Sequence, residues 1–290
     1  MESLTLFGYS RGAFAAKILA GVITDVGILK VGHLRRFVDL FRAYRSLHTR
    51  FTSTNALGRA RETLEQFRSG NLKDLMHKDV KIKCLGLFDT VSAIGAPLIS
   101  TIDNYMGFDH FNLPNEVEHA FHCLALNETF PPFILEKWRI TEKQAIERAE
   151  LNRPIKQIWF PGVHGEIGGS KGSTKWSDVT LLWMLANIVQ YGIFEFNKAY
   201  SQDIINRLIA SRNERFSSLT RTNISRTVPT IFDKCTHEQY HKSLNDVANF
   251  QDIKANANRV QNLWAELLVE EEEVYPNNEM TTSTLPEHLN

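Results

Sequence analysis

Three side chains that lie far apart in the chain have the types needed for nucleophilic catalysis: Ser10, Asp89 and His164. A serine hydroxyl is a poor nucleophile until a base accepts its proton, and a neutral imidazole does this well near neutral pH. A carboxylate then fixes the tautomer of the imidazole and stabilises the cation that forms. We therefore assign them as candidate nucleophile, orienting acid and general base.

The elements around Ser10 are those that would expose its hydroxyl. An apolar run, LTLF, predicts a short buried strand, the pentapeptide GYSRG follows it, and Ala13–Val22 predicts a helix of small residues immediately afterwards. A serine on a sharp strand-to-helix turn is pushed out of the sheet. Gly8 and Gly12 are expected to remove the side chains that would otherwise collide at this turn.

The helix after Ser10 also predicts where negative charge would be stabilised. Its N-terminal dipole would face an oxyanion forming at the serine, and the backbone N–H of Arg11 is one expected donor. The side chain of Arg11 is interpreted as a salt-bridging or packing group. The order serine, acid, histidine along the chain is that of α/β-hydrolases rather than that of the two large protease folds.

Asp89 and His164 each follow a predicted strand. Lys81–Phe88 ends at Asp89, whose alternative role is to cap the turn with Thr90. Ile155–Phe160 opens into the loop PGVHGEIGGS, whose glycines leave a backbone loose enough for His164 to reach a serine. The alternative for this histidine is an ordinary loop residue.

Other titratable residues compete for these roles. His119 and His122 lie in or beside an apolar run, where a histidine satisfied within the core is the commoner outcome. Glu166, two residues beyond His164, is an alternative orienting acid. Cys84 lies within a predicted strand and is interpreted as a small buried apolar residue.

Strands separated by helices predict an α/β fold whose mostly parallel sheet is covered on both faces. Reactive groups then gather beyond the carboxyl ends of the strands. The apolar run His119–Leu126 is either a third strand or a buried helix. Ser177 is expected to cap a later helix that ends at Gly192 and buries Trp183 and Met184.

We predict three parts in the chain. Residues 1–192 form the catalytic domain, in which 33–77 is a helical, cap-like insertion rich in basic and aromatic side chains. Residues 193–268 form a helical extension packed on this domain. Residues 269–290 have the charge and polarity of a disordered tail.

The composition excludes several classes of function. The 33 basic and 33 acidic residues balance, so no global field attracts nucleic acid. The three cysteines form no CxxC pair, which fits a reducing compartment and predicts neither a disulfide framework nor a zinc site. With no glycine fingerprint for nucleotides, we expect no cofactor and no metal. No secretory signal and no segment long enough to span a bilayer are recognised, so the expected location is cytoplasmic.

Four blocks together carry a family resemblance: GYSRGAFAAKILAGVITDVGIL, LGLFDTVSAIGAP, HCLALNE and IWFPGVHGEIGGS followed by SDVTLLWM. In this order they resemble the α/β-hydrolase domain of type VI secretion phospholipase effectors and their uncharacterised relatives, from about Leu4 to Gly192. The resemblance implies Ser10, Asp89 and His164 as the triad. It also implies hydrolysis of a carboxylic ester of a phospholipid or another lipid. The basic and aromatic side chains within 33–77 would suit peripheral contact with lipid phosphates.

The chain departs from the family pattern at three places. The histidine block has Glu166 where the family has aspartate and Ser170 where it has glycine, and FHCLALNE replaces RHALALDE. The family domain also begins several strands upstream, so we expect an N-terminally truncated sheet with an exposed edge that favours self-association. A lost second oxyanion donor would cost about 3 kcal/mol of transition-state stabilisation. The alternative is therefore a catalytically impaired fragment or pseudoenzyme that acts through protein contacts.

Overall fold

The structure, a computed structural model, describes residues 3–48, 52–91, 112–128, 130, 133, 135–169, 175–196, 206 and 238–240. Most of the predicted extension at 193–268 and all of the predicted tail at 269–290 therefore lie outside the described residues. The predicted division into parts stays a prediction.

Seven strands and six α-helices are described. In chain order they are β1 (Leu4–Tyr9), α1 (Arg11–Val26), β2 (Ile28–Leu29), α2 (Phe37–Leu47), α3 (Thr54–Arg68), β3 (Met76–His77), β4 (Ile82–Phe88), β5 (Val117–Ala125), α4 (Glu142–Glu150), β6 (Ile155–Phe160), α5 (His164–Ile167), α6 (Lys175–Gln190) and β7 (Glu238–Tyr240). Two short 3-10 helices, Val31–Arg36 and Lys73–Leu75, precede α2 and β3.

The main sheet has the strand order β1-β4-β5-β6-β7, and the short strands β2 and β3 pair separately as an antiparallel ribbon. The pairs β1–β4 and β6–β7 are parallel. The sequence predicts either a strand or a buried helix at His119–Leu126. The structure places almost all of this segment in strand β5. An α/β fold with a mostly parallel sheet flanked by helices is confirmed.

The chain divides into two compact units, and the first comprises Met1–Ala120 with Pro132–Pro154. Its core is a cluster in which α1, α2 and α3 meet through buried side chains that include Phe14, Leu40 and Phe67. The insertion predicted at 33–77 contains α2 and α3. Arg68, at the end of α3, holds Asp25 of α1 by two hydrogen bonds of 2.8 and 2.6 Å.

The second unit comprises Phe121–Pro131 with Ile155–Asn290. Its core stacks aromatic rings edge to face, with Trp183 of α6 at 6.1 Å from Phe121 and 5.6 Å from Phe160. Trp183 and Met184 are buried, as predicted. The prediction that Ser177 caps α6 is wrong, because the helix begins two residues earlier, at Lys175. Trp176, in the first turn of this helix, is buried. The helix ends two residues before Gly192, whose φ of 55° is easily reached only by glycine.

Two surface properties bear on the predicted partners. Among the described strands, β1 stands at one end of the main sheet and is paired with β4. Phe7 of β1 is 42% exposed. Self-association through this edge stays a prediction. None of the helices in the described part of the chain is long and apolar enough to cross a bilayer.

Candidate active site

The backbone at Ser10 has the strained geometry of a nucleophile elbow. Ser10 lies between the last residue of β1 and the first residue of α1, with φ 59° and ψ −127°. A non-glycine residue rarely adopts this conformation, which costs on the order of 1–3 kcal/mol and clusters at functional sites. Its carbonyl accepts the Phe14 N–H at 3.2 Å, which opens α1. The first N–H groups of that helix, beginning with Arg11, directly follow the serine in the chain and are not used by the helix's own hydrogen bonds.

The two glycines of the elbow have different roles. A Cβ on Gly8 would lie 2.5 Å from the carbonyl oxygen of Gly12 and 2.6 Å from the Cα of Ala13. Backbone atoms cannot retreat as a flexible side chain can, so β1 and α1 approach this closely only because residue 8 is glycine. At Gly12, no described heavy atom lies within 4 Å of a Cβ. The expectation that the glycines prevent collisions is thus supported at Gly8, whereas among the described atoms none requires a glycine at residue 12.

Asp89 is placed beside the elbow by the pairing of two parallel strands. Tyr9 pairs with Phe88, so Ser10 and Asp89 are each one residue beyond a paired position at the carboxyl ends of β1 and β4. The Ser10 N–H donates to the Phe88 carbonyl at 3.0 Å. Asp89 is fully buried and has a φ of 41°, the second positive value at this rim. The structure therefore brings the candidate nucleophile and the candidate acid together.

A segment from later in the chain fixes the turn after Asp89. Leu135 bridges Val91 in antiparallel fashion, and the Glu136 N–H donates to the Thr90 carbonyl at 2.9 Å. The Val91 N–H also donates to the Ser10 carbonyl at 3.4 Å. The acid turn is thus held from one side by the elbow and from the other by Leu135–Glu136.

Lys17 connects this clamp to the helix that begins at the elbow. Its side chain is buried within α1, and Nζ donates to the carbonyl of Lys137 at 3.1 Å. Burial lowers the pKa of Lys17 to about 8, because the loss of hydration outweighs the attraction of Glu136. The sequence pattern did not single out Lys17, since its neighbours in α1 gave no sign that a lysine there would be enclosed.

We expect Lys17→Met to raise the free energy of unfolding at neutral pH, because methionine fills the site without a buried charge. Between pH 8 and 10.5 the unfolded wild type holds a proton that the folded wild type has released, so wild-type stability rises by about 1.4 kcal/mol per pH unit. The advantage of the variant should therefore shrink by about 3 kcal/mol across this window. Urea unfolding of both proteins at several pH values measures the difference.

The difference between the two proteins is the informative quantity, because other groups also titrate in this range. Burial raises the pKa of the Cys84 thiol to about 12, which makes the folded state of both proteins less stable as the pH rises above 9. This effect cancels between them. An advantage of Lys17→Met that stays constant from pH 8 to 10.5 would show that folded Lys17 keeps its proton across this window, so that burial does not lower its pKa.

His164 heads a one-turn helix whose entry is fixed by residues that follow β5. The Asn127 N–H donates to the Gly162 carbonyl at 2.9 Å, and the Gly162 N–H returns a bond to Asn127 Oδ1 at 2.7 Å. The His164 N–H donates to Glu128 Oε2 at 2.9 Å, and Glu128 Oε1 accepts the Phe130 N–H at 2.7 Å. His164, Asn127 and Glu128 are all buried, so their hydrogen bonds hold this loop rigidly.

Two departures from the family pattern near His164, Asn127 and Glu166, keep hydrogen-bond acceptors in place, and Ser170 lies outside the described residues. Asn127 stands where the family has aspartate, and its amide oxygen keeps the acceptor that Gly162 needs. Glu166 accepts the Val163 N–H at 2.9 Å and so anchors the first turn of α5. A Cβ on Gly162 would contact the ring of Trp176 at 3.1 Å, and the φ of Gly162 is 122°. Asn127 and Glu128 are supporting residues that the sequence analysis did not assign.

The competing histidines have structural partners. His122 is fully buried in β5, with Nδ1 3.2 Å from Gln157 Oε1. His119 has Nδ1 2.9 Å from the Lys83 carbonyl, and burial lowers its pKa. His122 therefore matches the core interpretation, whereas His119 is half-buried and bonded to a strand carbonyl. The part of the chain that the structure describes contains no cluster of three or more metal-ligating side chains.

The candidate residues fall in different units. Ser10, Arg11 and Asp89 belong to the first unit, and His164 belongs to the second. In the first unit the backbone is strained at Ser10 and Asp89, which both have positive φ. In the second unit the His164 N–H is held by Glu128. The meeting of His164 with Ser10 stays a prediction.

A parallel sheet with a serine on a strained turn before a helix defines the protein as a hydrolase-like α/β protein. Residues 2–187 match the family described as the catalytic domain of T6SS Tle1-like phospholipase effectors. The match covers more than half of the chain, and the chain belongs to this family.

One curated relative is similar to part of the chain. The uncharacterized protein YEL023C of Saccharomyces cerevisiae is 33% identical over 127 residues, which are 44% of this chain and 17% of the yeast protein. The matched region thus spans about a sixth of that relative. No solved structure matches the chain.

Proposed function

We propose that the protein is a serine hydrolase that cleaves a carboxylic ester of a phospholipid or another lipid. The observation that supports this most strongly is the strained backbone of Ser10, with φ 59° and ψ −127°, in a chain of a phospholipase catalytic-domain family. Such strain is retained where the surrounding structure enforces it for function. A structural turn at this position would be met more cheaply by glycine.

In the proposed reaction, His164 accepts the proton of the Ser10 hydroxyl while Oγ forms a bond to the ester carbonyl carbon. The N–H of Arg11 and the N-terminus of α1 stabilise the resulting oxyanion. Collapse breaks the bond to the alcohol, which takes the proton from His164 and leaves an acyl-serine. Water, deprotonated by His164, then releases the fatty acid and restores the serine.

Asp89 is the proposed partner of the imidazole in this mechanism. Its complete burial and its place beside Ser10 would let a carboxylate hold the tautomer and stabilise the imidazolium. Lys17 and Leu135–Lys137 act as positioning residues, because they fix the turn that carries Asp89. The helices within 33–77 are proposed to act as a cap.

A fluorophosphonate probe tests the proposal directly, because it reacts with a serine that an adjacent base activates. We expect mass spectrometry to locate the label on Ser10, and Ser10→Ala to lose both the label and hydrolysis of a short-chain phosphatidylcholine. Circular dichroism of both proteins controls for folding. Absence of labelling in a folded wild type, or undiminished labelling in Ser10→Ala, would overturn the proposal and favour the catalytically silent alternative.

A further inference from the structure

An exposed apolar strip lies at the start of the helical insertion. Its members, here called the apolar ridge, are Val31, Leu34, Phe37 and Val38, with exposed fractions of 85%, 58%, 45% and 50%. Val31, Leu34 and Phe37 are three residues apart, and Val38 follows Leu34 by four, along a 3-10 helix that continues into α2, so they lie on one side. Large apolar side chains exposed together mark an interaction surface.

The ridge projects from a rigid support. The opposite side of α2 is buried in the core through Leu40, Ala43 and Tyr44. Phe37 stacks on Phe41 at a centroid distance of 5.6 Å, which fixes the direction of its ring. The ridge is therefore one face of an anchored amphipathic helix.

A basic cleft begins at the residue that precedes the ridge. This cleft has a volume of about 400 Å³, and its polar lining consists of Lys30, Arg68, Lys73, Asp74, His77 and Lys78. The Lys30 N–H donates to the Leu75 carbonyl at 2.8 Å, which fixes the start of the ridge against the cleft wall.

Hydrogen bonds hold the cleft lysines in place without cancelling their charges. Lys30 Nζ donates to the Asp74 carbonyl at 2.7 Å. Lys78 Nζ donates to the Val26 and Phe67 carbonyls at 2.8 and 2.6 Å. An ammonium has three donors, and a carbonyl carries no net charge. Each ammonium thus retains donor capacity, and burial lowers the pKa of Lys78.

The charge of the cleft is positive overall. Arg68 is paired in bidentate fashion with Asp25, so its charge is compensated. Three lysines and one carboxylate, that of Asp74, line the cleft, and the carboxylates of Asp25, Asp79 and Glu65 near Lys78 offset part of this charge. Arg35, exposed between the ridge residues, adds further positive charge, whereas Arg36 is paired with Asp39 at 3.8 Å.

We propose that the apolar ridge and the basic cleft together form a docking surface for a bilayer that contains anionic phospholipid. The ridge enters the acyl region and the cleft holds a headgroup phosphate. Apolar side chains flanked by cations are the arrangement that binds such interfaces, since insertion and electrostatic attraction add. Docking does not require the reaction at Ser10, so it is measured with the Ser10→Ala protein.

Sedimentation with vesicles tests the docking surface. We expect binding to an equal mixture of phosphatidylcholine and phosphatidylglycerol, with much weaker binding to phosphatidylcholine alone. Leu34→Ser with Phe37→Ser should weaken binding about a hundredfold, because each loses the burial of a large side chain. Lys73→Glu should weaken binding to the anionic vesicles at least fivefold and leave binding to phosphatidylcholine unchanged.

Helix α4 and Leu151, the residue that follows it, supply matched controls in the same unit. Ile146→Ser with Leu151→Ser removes two apolar side chains of similar exposure, 56% and 59%, and Lys143→Glu reverses an exposed charge. These variants should bind as the parent does, and thermal unfolding should show that all the proteins are folded. Three results would each overturn the inference: no binding of the parent to anionic vesicles, equal losses in the ridge and α4 variants, or a dimer in ultracentrifugation that only the ridge variant dissociates.

Discussion

Replacing Asp89 with Asn is expected to lower the rate of ester hydrolysis by about 10⁴-fold while the protein stays folded. Asparagine has nearly the same shape, but it favours the wrong imidazole tautomer and cannot stabilise the imidazolium. The side chain is fully buried beside the elbow, so solvent cannot replace its charge. Initial rates on a short-chain phosphatidylcholine, measured at equal protein concentration, give the change in kcat/KM.

Two glutamates near His164 supply the controls for this experiment. Glu166→Gln keeps one oxygen for the Val163 N–H, so we expect less than a tenfold loss of activity. Glu128→Gln keeps one of two acceptors, so either the His164 or the Phe130 N–H loses its partner, at a cost of about 1–3 kcal/mol in stability. A large loss in Glu166→Gln with an active Asp89→Asn would make Glu166 the acid, the alternative raised by its position in the sequence.

Local patterns in the sequence predict the elements that carry the candidate residues. The alternation of an apolar run, a glycine-flanked serine and a small-residue helix predicts β1, the elbow and α1, although the strand extends to Tyr9 and the helix to Val26. Strand β6 begins and ends at the predicted residues. Such patterns suffice because propensity and turn chemistry agree over a few residues.

The residues that the sequence analysis missed depend on contacts between distant segments. Nothing near Lys17 in the chain shows that Leu135–Lys137 will enclose it, and these partners lie 120 residues apart. The bond between Asn127 and Gly162 likewise joins the ends of two strands. Residue 8 must be glycine because α1 passes close to β1 there. At residue 12, by contrast, an added Cβ would contact no described atom. The sequence, which has glycine at both positions, therefore does not show which of the two is sterically constrained.

That difference gives the second large prediction, in which Gly8→Ala destabilises the protein by more than about 3 kcal/mol. The new Cβ would lie within 2.7 Å of three backbone atoms of Gly12 and Ala13, a separation that real contacts do not show. Relief requires α1 to move away from β1, and this movement carries Ser10 and the N–H of Arg11 with it. Urea unfolding measures the loss of stability, and fluorophosphonate labelling measures the loss of the elbow in protein that remains folded.

Gly12→Ala is the matched control, because it adds the same methyl group four residues away within α1. Alanine favours helix over glycine by about 0.5–1 kcal/mol, and no described atom obstructs its Cβ, so this variant should be as stable as the parent or slightly more so. If Gly8→Ala and Gly12→Ala were equally stable, the close approach of α1 to β1 would not constrain the elbow. A Gly8→Ala protein that loses labelling while Gly12→Ala retains it would show that helix position, beyond the serine itself, sets the reactivity of Ser10.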